Sequence, residues 1–238
     1  MEARLLAWFD EHGRDLPWRR TRNPYAILVS EVMLQQTQVS RVVPRYVAWL
    51  VRWPTAEVLA AAPLAEVIRE WQGLGYNRRA VSLHRAAQRI AAEGWPDDLT
   101  ELPGVGRYTA DALARFALER AVLPVDTNVR RVLDRTGGEF GAASAHALMD
   151  LGATVCLARV PRCEQCPLAG GCPSRGARYE PLRRQTRFEG SFRQRRARAL
   201  RLVAEGPQRH DSLDPRAVTS LVEDGLVQVN SGLVTLPQ

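Results

Sequence analysis

Lysine is absent from this sequence; all 33 Lys+Arg positions are arginine. No lysine amine is available to form a Schiff base, which removes one route of covalent catalysis through a side chain. Long apolar runs are missing too. None approaches the roughly 20 residues that a bilayer-spanning helix needs. The N-terminal MEARLLAWFDEHGR is amphipathic and contains acids, unlike a secretion signal. Acidic residues are in deficit, 26 against 33 basic ones, for a net charge of +7. That imbalance favours a polyanionic partner. With 238 residues of ordinary globular composition, the chain has room for one sizeable domain and a small appendage.

Cysteine is scarce and confined. Cys156, Cys163, Cys166 and Cys172 follow the spacing C-x6-C-x2-C-x5-C, whereas a disulfide framework spreads its cysteines along the chain. Thiols packed this densely suit a metal. Zinc is commonly held by four thiolates. The unequal loops, and Pro167 directly after the third cysteine, suit a [4Fe–4S] cluster at least as well, so spacing alone leaves both open.

The organising stretch is 101–133, ELPGVGRYTADALARFALERAVLPVDTNVRRVL. Gly104 and Gly106 leave the backbone bare in a tight turn between two helix-like segments. Around them Val105, Arg107 and Tyr108 can present amide N–H groups at the start of the next helix, an arrangement that captures a phosphate. About twenty residues on, Asp126 follows the apolar run Val122-Leu123-Pro124-Val125. An acid among apolar neighbours usually has a task.

Upstream, residues 1–12 read as a helix that ends before Pro17. Pro24 and Tyr25 open another, PYAILVSEVMLQQTQ, whose apolar positions Ile27, Leu28, Val32 and Leu34 place Glu31 on or beside the apolar side. Gln35, Gln36, Thr37 and Gln38 then form an uncharged hydrogen-bonding cluster suited to base edges. After two or three further helices, Gly73-Leu74-Gly75-Tyr76 is a glycine turn whose aromatic ring, beside arginines, could wedge into a base stack. Nothing through residue 175 alternates as a strand would, so this part is expected to be all-α. Past Cys172, residues 178–201 hold nine arginines interleaved with Tyr179, Phe188 and Phe192, either a solvated linker or a DNA-contacting strap. The tail predicts a helix near 192–204, a short helix, a helix near 215–225 and a hairpin about Asn230-Ser231-Gly232, together a small winged-helix-like (α+β) appendage.

RDLPWR at 14–19, SEVMLQQTQV at 30–39, GLGY at 73–76, LPGVGRYTA at 102–110, VDTNVRRVL at 125–133 and the cysteine pattern resemble the helix-hairpin-helix DNA glycosylases of the endonuclease III superfamily, in particular its MutY-like adenine glycosylases. The resemblance implies a two-lobed fold over residues 1–175, with a six-helix lobe at about 20–120 and a cluster lobe from 1–19 and 121–175. A basic linker at 176–191 and the appendage at 192–238 follow. It implies one [4Fe–4S] cluster on Cys156, Cys163, Cys166 and Cys172. It also implies a monomer acting on double-stranded DNA with a flipped target base, away from membranes, in the cytoplasm at the nucleoid. The implied reaction releases adenine mispaired with 8-oxoguanine or guanine. Glu31 would protonate the base, Asp126 would stabilise the sugar cation, Tyr108 and Asn128 would orient these acids, and Arg19 would belong to the same site. Gln35, Gln36 and Tyr76 would lie at the vacated space and the opposite base, and Gly104, Val105, Gly106 and Arg107 on the backbone. Tyr108 stands where bifunctional relatives carry the Schiff-base lysine, so a monofunctional enzyme is expected. Only 22 residues separate Leu133 from Cys156, fewer than relatives carry, as though GGEFGAASA replaced a helix. The tail is too short for the family's usual lesion-reading domain. Two alternatives stay open: a thymine or uracil mismatch glycosylase, and a non-catalytic DNA-binding iron–sulfur protein.

Overall fold

The computed structural model describes residues 1–180 and 187–237; residues 181–186, within the expected basic linker, and residue 238 lie outside the described residues. In chain order the helices are α1 (Glu2–His12), α2 (Pro24–Leu34), α3 (Val39–Arg52), α4 (Ala56–Ala60), α5 (Leu64–Glu70), α6 (Arg78–Glu93), α7 (Arg107–Phe116), α8 (Thr127–Thr136), α9 (Ala145–Thr154), α10 (Phe192–Glu205) and α11 (Pro215–Glu223). The strands are β1 (Gln208–Arg209), β2 (Gln228–Asn230) and β3 (Leu233–Thr235). The fold is thus mostly helical, with its described strands confined to the tail. Two compact units emerge: Met1–Ile27 with Gly106–Arg184, and Leu28–Val105 with Gln185–Gln238.

In the first unit the core joins Leu5 of α1, Val129 and Val132 of α8, Leu148 and Leu151 of α9, and Leu168 of the cysteine loop, all fully buried. The shortened 134–155 interval contains an intact helix. GGEFGAASA forms a loop and one 3₁₀ turn, and α9 follows at once. Glu2 anchors that loop, accepting from the Gly141 amide at 2.9 Å and from the Ser144 hydroxyl at 2.7 Å. Gly152 then lets α9 run hard against α8: a Cβ there would stand 2.8 Å from the Asn128 Cβ. The first turn of α8, which Asp126 caps, therefore packs on α9 at a glycine.

In the second unit α4 and α5 pack on α6, and Trp49 meets Trp53 and Trp71 edge-on with ring centroids 4.6 and 5.5 Å apart. Thr55 caps α4 as its sequence position suggests, its hydroxyl accepting from Val58 N. The helix expected to enter the glycine turn is a single 3₁₀ turn, Leu99–Glu101, capped by Asp98. The tail hairpin forms as predicted. Asn230 pairs with Leu233, leaving Ser231 and Gly232 as a two-residue turn with φ of 49° and 77°, the left-handed pair a tight hairpin demands. β1, unsignalled in sequence, adds to β3 to give the antiparallel order β1-β3-β2. Leu200, Leu221 and Val234 share one core with Ile68 of α5 and Val81 of α6.

Candidate active site

Asp126 is the N-cap of α8. Its Oδ1 accepts from the Asn128 and Val129 amides at 2.9 and 2.7 Å, and its Oδ2 from the Asn128 side-chain amide at 3.0 Å. Three donors at the positive end of a helix hold an anion in one orientation. Asn128 is fixed in turn, since its Oδ1 accepts from Arg131 Nη2 at 2.7 Å. That guanidinium also donates to the Gly152 and Cys156 carbonyls at 2.7 and 2.8 Å. Tyr108 lies half-buried in the first turn of α7.

Across the glycine turn, Gly104 adopts φ +81°, and a Cβ there would sit 2.7 Å from the Ser82 Cβ, so the position requires glycine twice over. The Val105 amide is already bonded to the Leu102 carbonyl at 3.0 Å, which withdraws one of the expected anion donors. Gly106 is the N-cap and Arg107 the first residue of α7, where a helix leaves amides without internal partners.

Glu31 is 7% exposed in α2. That helix stops at Leu34, short of the glutamines, because Gln36 turns left-handed at φ 55°. Gln35 donates to the Gly104 carbonyl at 3.3 Å. Tyr76, half-exposed, is also left-handed at φ 45°. Non-glycine residues in this region are strained, and such strain gathers at functional sites.

The four thiols border one hollow, with Val132, Leu151 and Val155 as apolar wall. Among the described residues, no three His, Cys, Asp or Glu side chains converge as a single metal ion would require. Burial pushes the Cys166 thiol up, and the other three sulfurs add to the effect. Arg135 Nη1 and the Gly176 amide donate to the Cys156 and Cys163 sulfurs at 3.5 and 3.3 Å.

Residues 29–152 match the HhH-GPD superfamily of base excision DNA repair proteins. The chain belongs to that superfamily. It is 44% identical to the adenine DNA glycosylase of Mycolicibacterium smegmatis over 270 aligned positions, covering 94% of this chain and 91% of that one. To the Mycobacterium tuberculosis adenine DNA glycosylase it is 42% identical, covering 95% and 90%. Within the superfamily it is therefore MutY-like. A solved thermostable thymine-DNA glycosylase superposes with a TM-score of 0.65 at 27% identity, over 72% of this chain and 93% of that one.

Two side chains of this HhH-GPD protein escaped the sequence reading. Asp150 of α9 is fully buried, accepting from the Arg14 amide and Nε at 2.8 Å each and from Arg19 Nη1 and Nη2 at 2.9 and 2.7 Å. Arg19 also donates to the Arg14 carbonyl at 2.8 Å, so its guanidinium is spent on this anchor. Nearby His146, stacked between Phe9 and Phe116, is lowered to about 4 by burial and by Arg19, and so stays neutral. An acid inside the apolar run AHALMDLGA was the signal for Asp150, the same one that marked Asp126. The other is Arg79, fully engaged beneath the two left-handed turns.

Proposed function

We infer that this chain is an adenine DNA glycosylase of base excision repair, a hydrolase that cuts the bond between adenine and its deoxyribose. The observation that carries this reading is Asp126, clamped by three N–H groups at the head of α8, in a chain that also buries Glu31 in an apolar helix. A departing purine needs a proton on its ring, and the sugar, as it becomes cationic, needs a fixed negative charge. Glu31 supplies the proton. Asp126 stabilises the oxocarbenium-like sugar as the C1′–N9 bond to protonated adenine breaks, and bonds to C1′. Water then cleaves that ester to give the abasic sugar and restore the carboxylate. Asn128 locks the Asp126 carboxylate and Tyr108 orients the acids. Arg19 acts through Asp150 to hold the segment before α2. The adenine lies opposite 8-oxoguanine or guanine in duplex DNA and is flipped out by a single copy of the protein. Gln35, Gln36 and Tyr76 address the gap and the opposite base, and Gly104 to Arg107 receive the backbone phosphate. Since no lysine exists, no lysine Schiff base forms to cut the strand after base release, and the enzyme is monofunctional in that sense.

We favour one [4Fe–4S] cluster over zinc here, because four sulfurs border one hollow and their C-x6-C-x2-C-x5-C spacing, in a chain of the HhH-GPD superfamily, suits that group. Cys156, Cys163, Cys166 and Cys172 would hold it. When bound, it would order the loop whose Cys156 carbonyl meets Arg131. Iron and sulfide in equal amounts, without zinc, is the expected analysis of the purified protein; stoichiometric zinc would overturn it.

The likeness to a thymine-DNA glycosylase supports the competing pyrimidine reading, which Glu31 opposes, since pyrimidine release needs no ring N7 protonation. Single-turnover assays on duplexes with adenine opposite 8-oxoguanine, adenine opposite guanine, and thymine or uracil opposite guanine separate the two. Abasic product from adenine alone, with breaks only after alkali, is expected. Release of thymine or uracil, or of no base at all, would refute the assignment.

A further inference from the structure

The chain places Gln36 and Tyr76 on separate turns, one ending α2 and one opening α6, and nothing local in sequence relates them. Arg79 does. Its Nη1 donates to the carbonyls of Val32, Met33 and Gln35 at 2.8, 2.9 and 2.6 Å, the last turn of the helix that carries Glu31. Its Nη2 donates to Thr37 Oγ1 at 2.9 Å and to the Gly75 carbonyl at 2.8 Å, and Nε to the Tyr76 carbonyl at 3.3 Å. The guanidinium also lies against the Trp71 and Tyr76 rings, 5.3 and 5.7 Å from their centroids. Burial lowers Arg79 only to about 10, so it is charged at neutral pH. Thr37 adds a second tie, its hydroxyl meeting the Gln35 and Leu74 carbonyls at 3.3 and 3.4 Å.

We propose that Arg79 is a positioning residue that sets the Gln36 and Tyr76 turns in one fixed register for insertion beside the target base. Helix ends leave carbonyls without partners, and a buried cation there both satisfies them and complements the negative pole of the helix. An ordinary cap serves one helix end. This guanidinium distributes five donors over two turns whose apical residues are left-handed, and that backbone persists only where its surroundings over-determine it. Removing the forked donor set would let each turn relax independently of the other. Lysine cannot substitute, because an ammonium has three donors and no planar fork.

This inference rests on the glycosylase reading, and the test separates the two. Arg79→Lys, Thr37→Val and the core control Ile68→Val are compared with wild type at a temperature well below all their melting points. Each is measured for affinity to matched duplex, for the single-turnover rate on adenine opposite 8-oxoguanine, and for fluorescence of 2-aminopurine flanking the mismatch, which brightens when a side chain enters the stack. Misplacement by about 1 Å can cost roughly a hundredfold in rate. Arg79→Lys is expected to lose about that factor and the brightening while holding matched-duplex affinity, Thr37→Val to fall between, and Ile68→Val to match wild type. If Arg79→Lys does not fold, Thr37→Val decides. Arginine and threonine variants that behave as Ile68→Val does would overturn the proposal. A wild type that releases no adenine would overturn the glycosylase reading, with the brightening still testing the clamp.

Discussion

Asp150→Asn is the sharpest perturbation the structure offers, because it removes one charge and almost no volume. The wild-type carboxylate is fully buried and meets two guanidiniums, whose side chains are 29% and 11% exposed. Burial pushes its carboxyl upward, but the Arg19 and Arg14 hydrogen bonds outweigh burial and hold it below the ordinary 3.8. Deleting one partner of a buried ion pair costs about 3–5 kcal/mol, since the opposite charge is left uncompensated. Arg14 can turn to water, which places this case near 3 kcal/mol. For a chain of this size that lowers the melting temperature by about 10 °C. The dependence on pH has a definite sign. A carboxyl lowered in the folded state contributes stability that is fully present above its unfolded value near 3.8, and that is lost as pH falls through its native value. The gap between wild type and Asp150→Asn should therefore be full at neutral pH and close only in acid below that value. Asp15→Asn is the matched control, because its pairing with Arg20 is exposed on both sides and should leave the melting point unmoved. Calorimetry at pH 7 and under acid conditions reads both. An Asp150→Asn melting point within about 2 °C of wild type at pH 7 would refute the account of α9 as an electrostatic anchor.

Asp126→Asn should keep the helix, since asparagine caps as well as aspartate, yet lower the single-turnover rate by about 10²–10³, the loss that follows removal of one transition-state electrostatic partner. A rate within about fivefold of wild type would exclude Asp126 from the chemistry. Gly152→Ala puts a Cβ 2.8–3.0 Å from Asn128 side-chain and backbone atoms, so α9 must lift from α8, at about 1–3 kcal/mol in urea melts and with a parallel fall in rate. Gly232→Ala meets no atom within 4 Å, so only its left-handed backbone opposes it; about 1 kcal/mol is expected by the same melts, with adenine release unchanged.

What the sequence determined by itself is local or compositional. The helical periods of α1, α2 and the tail helices, the Thr55 cap, the hairpin at Ser231-Gly232 and the glycine turn at Gly104 all follow from preferences that act within a few residues. The clustering of four cysteines and the lack of lysine are likewise visible without coordinates. The motifs also marked Asp126 and Glu31, because an acid amid apolar neighbours is conspicuous in any context. What only the tertiary structure decided is where buried charge finds its partner. Asp150 meets Arg14 and Arg19 across 136 and 131 positions, and Arg79 reaches back to Val32 across 47. Such pairs cannot be read along the chain, since in the unfolded chain water solvates each charge separately. The compensation exists only once folding removes the water and brings the distant groups within hydrogen-bond reach. The same holds for the two-residue β1, which is a strand only because β3 lies beside it, and for Gly152, whose missing side chain matters only because Asn128 is there.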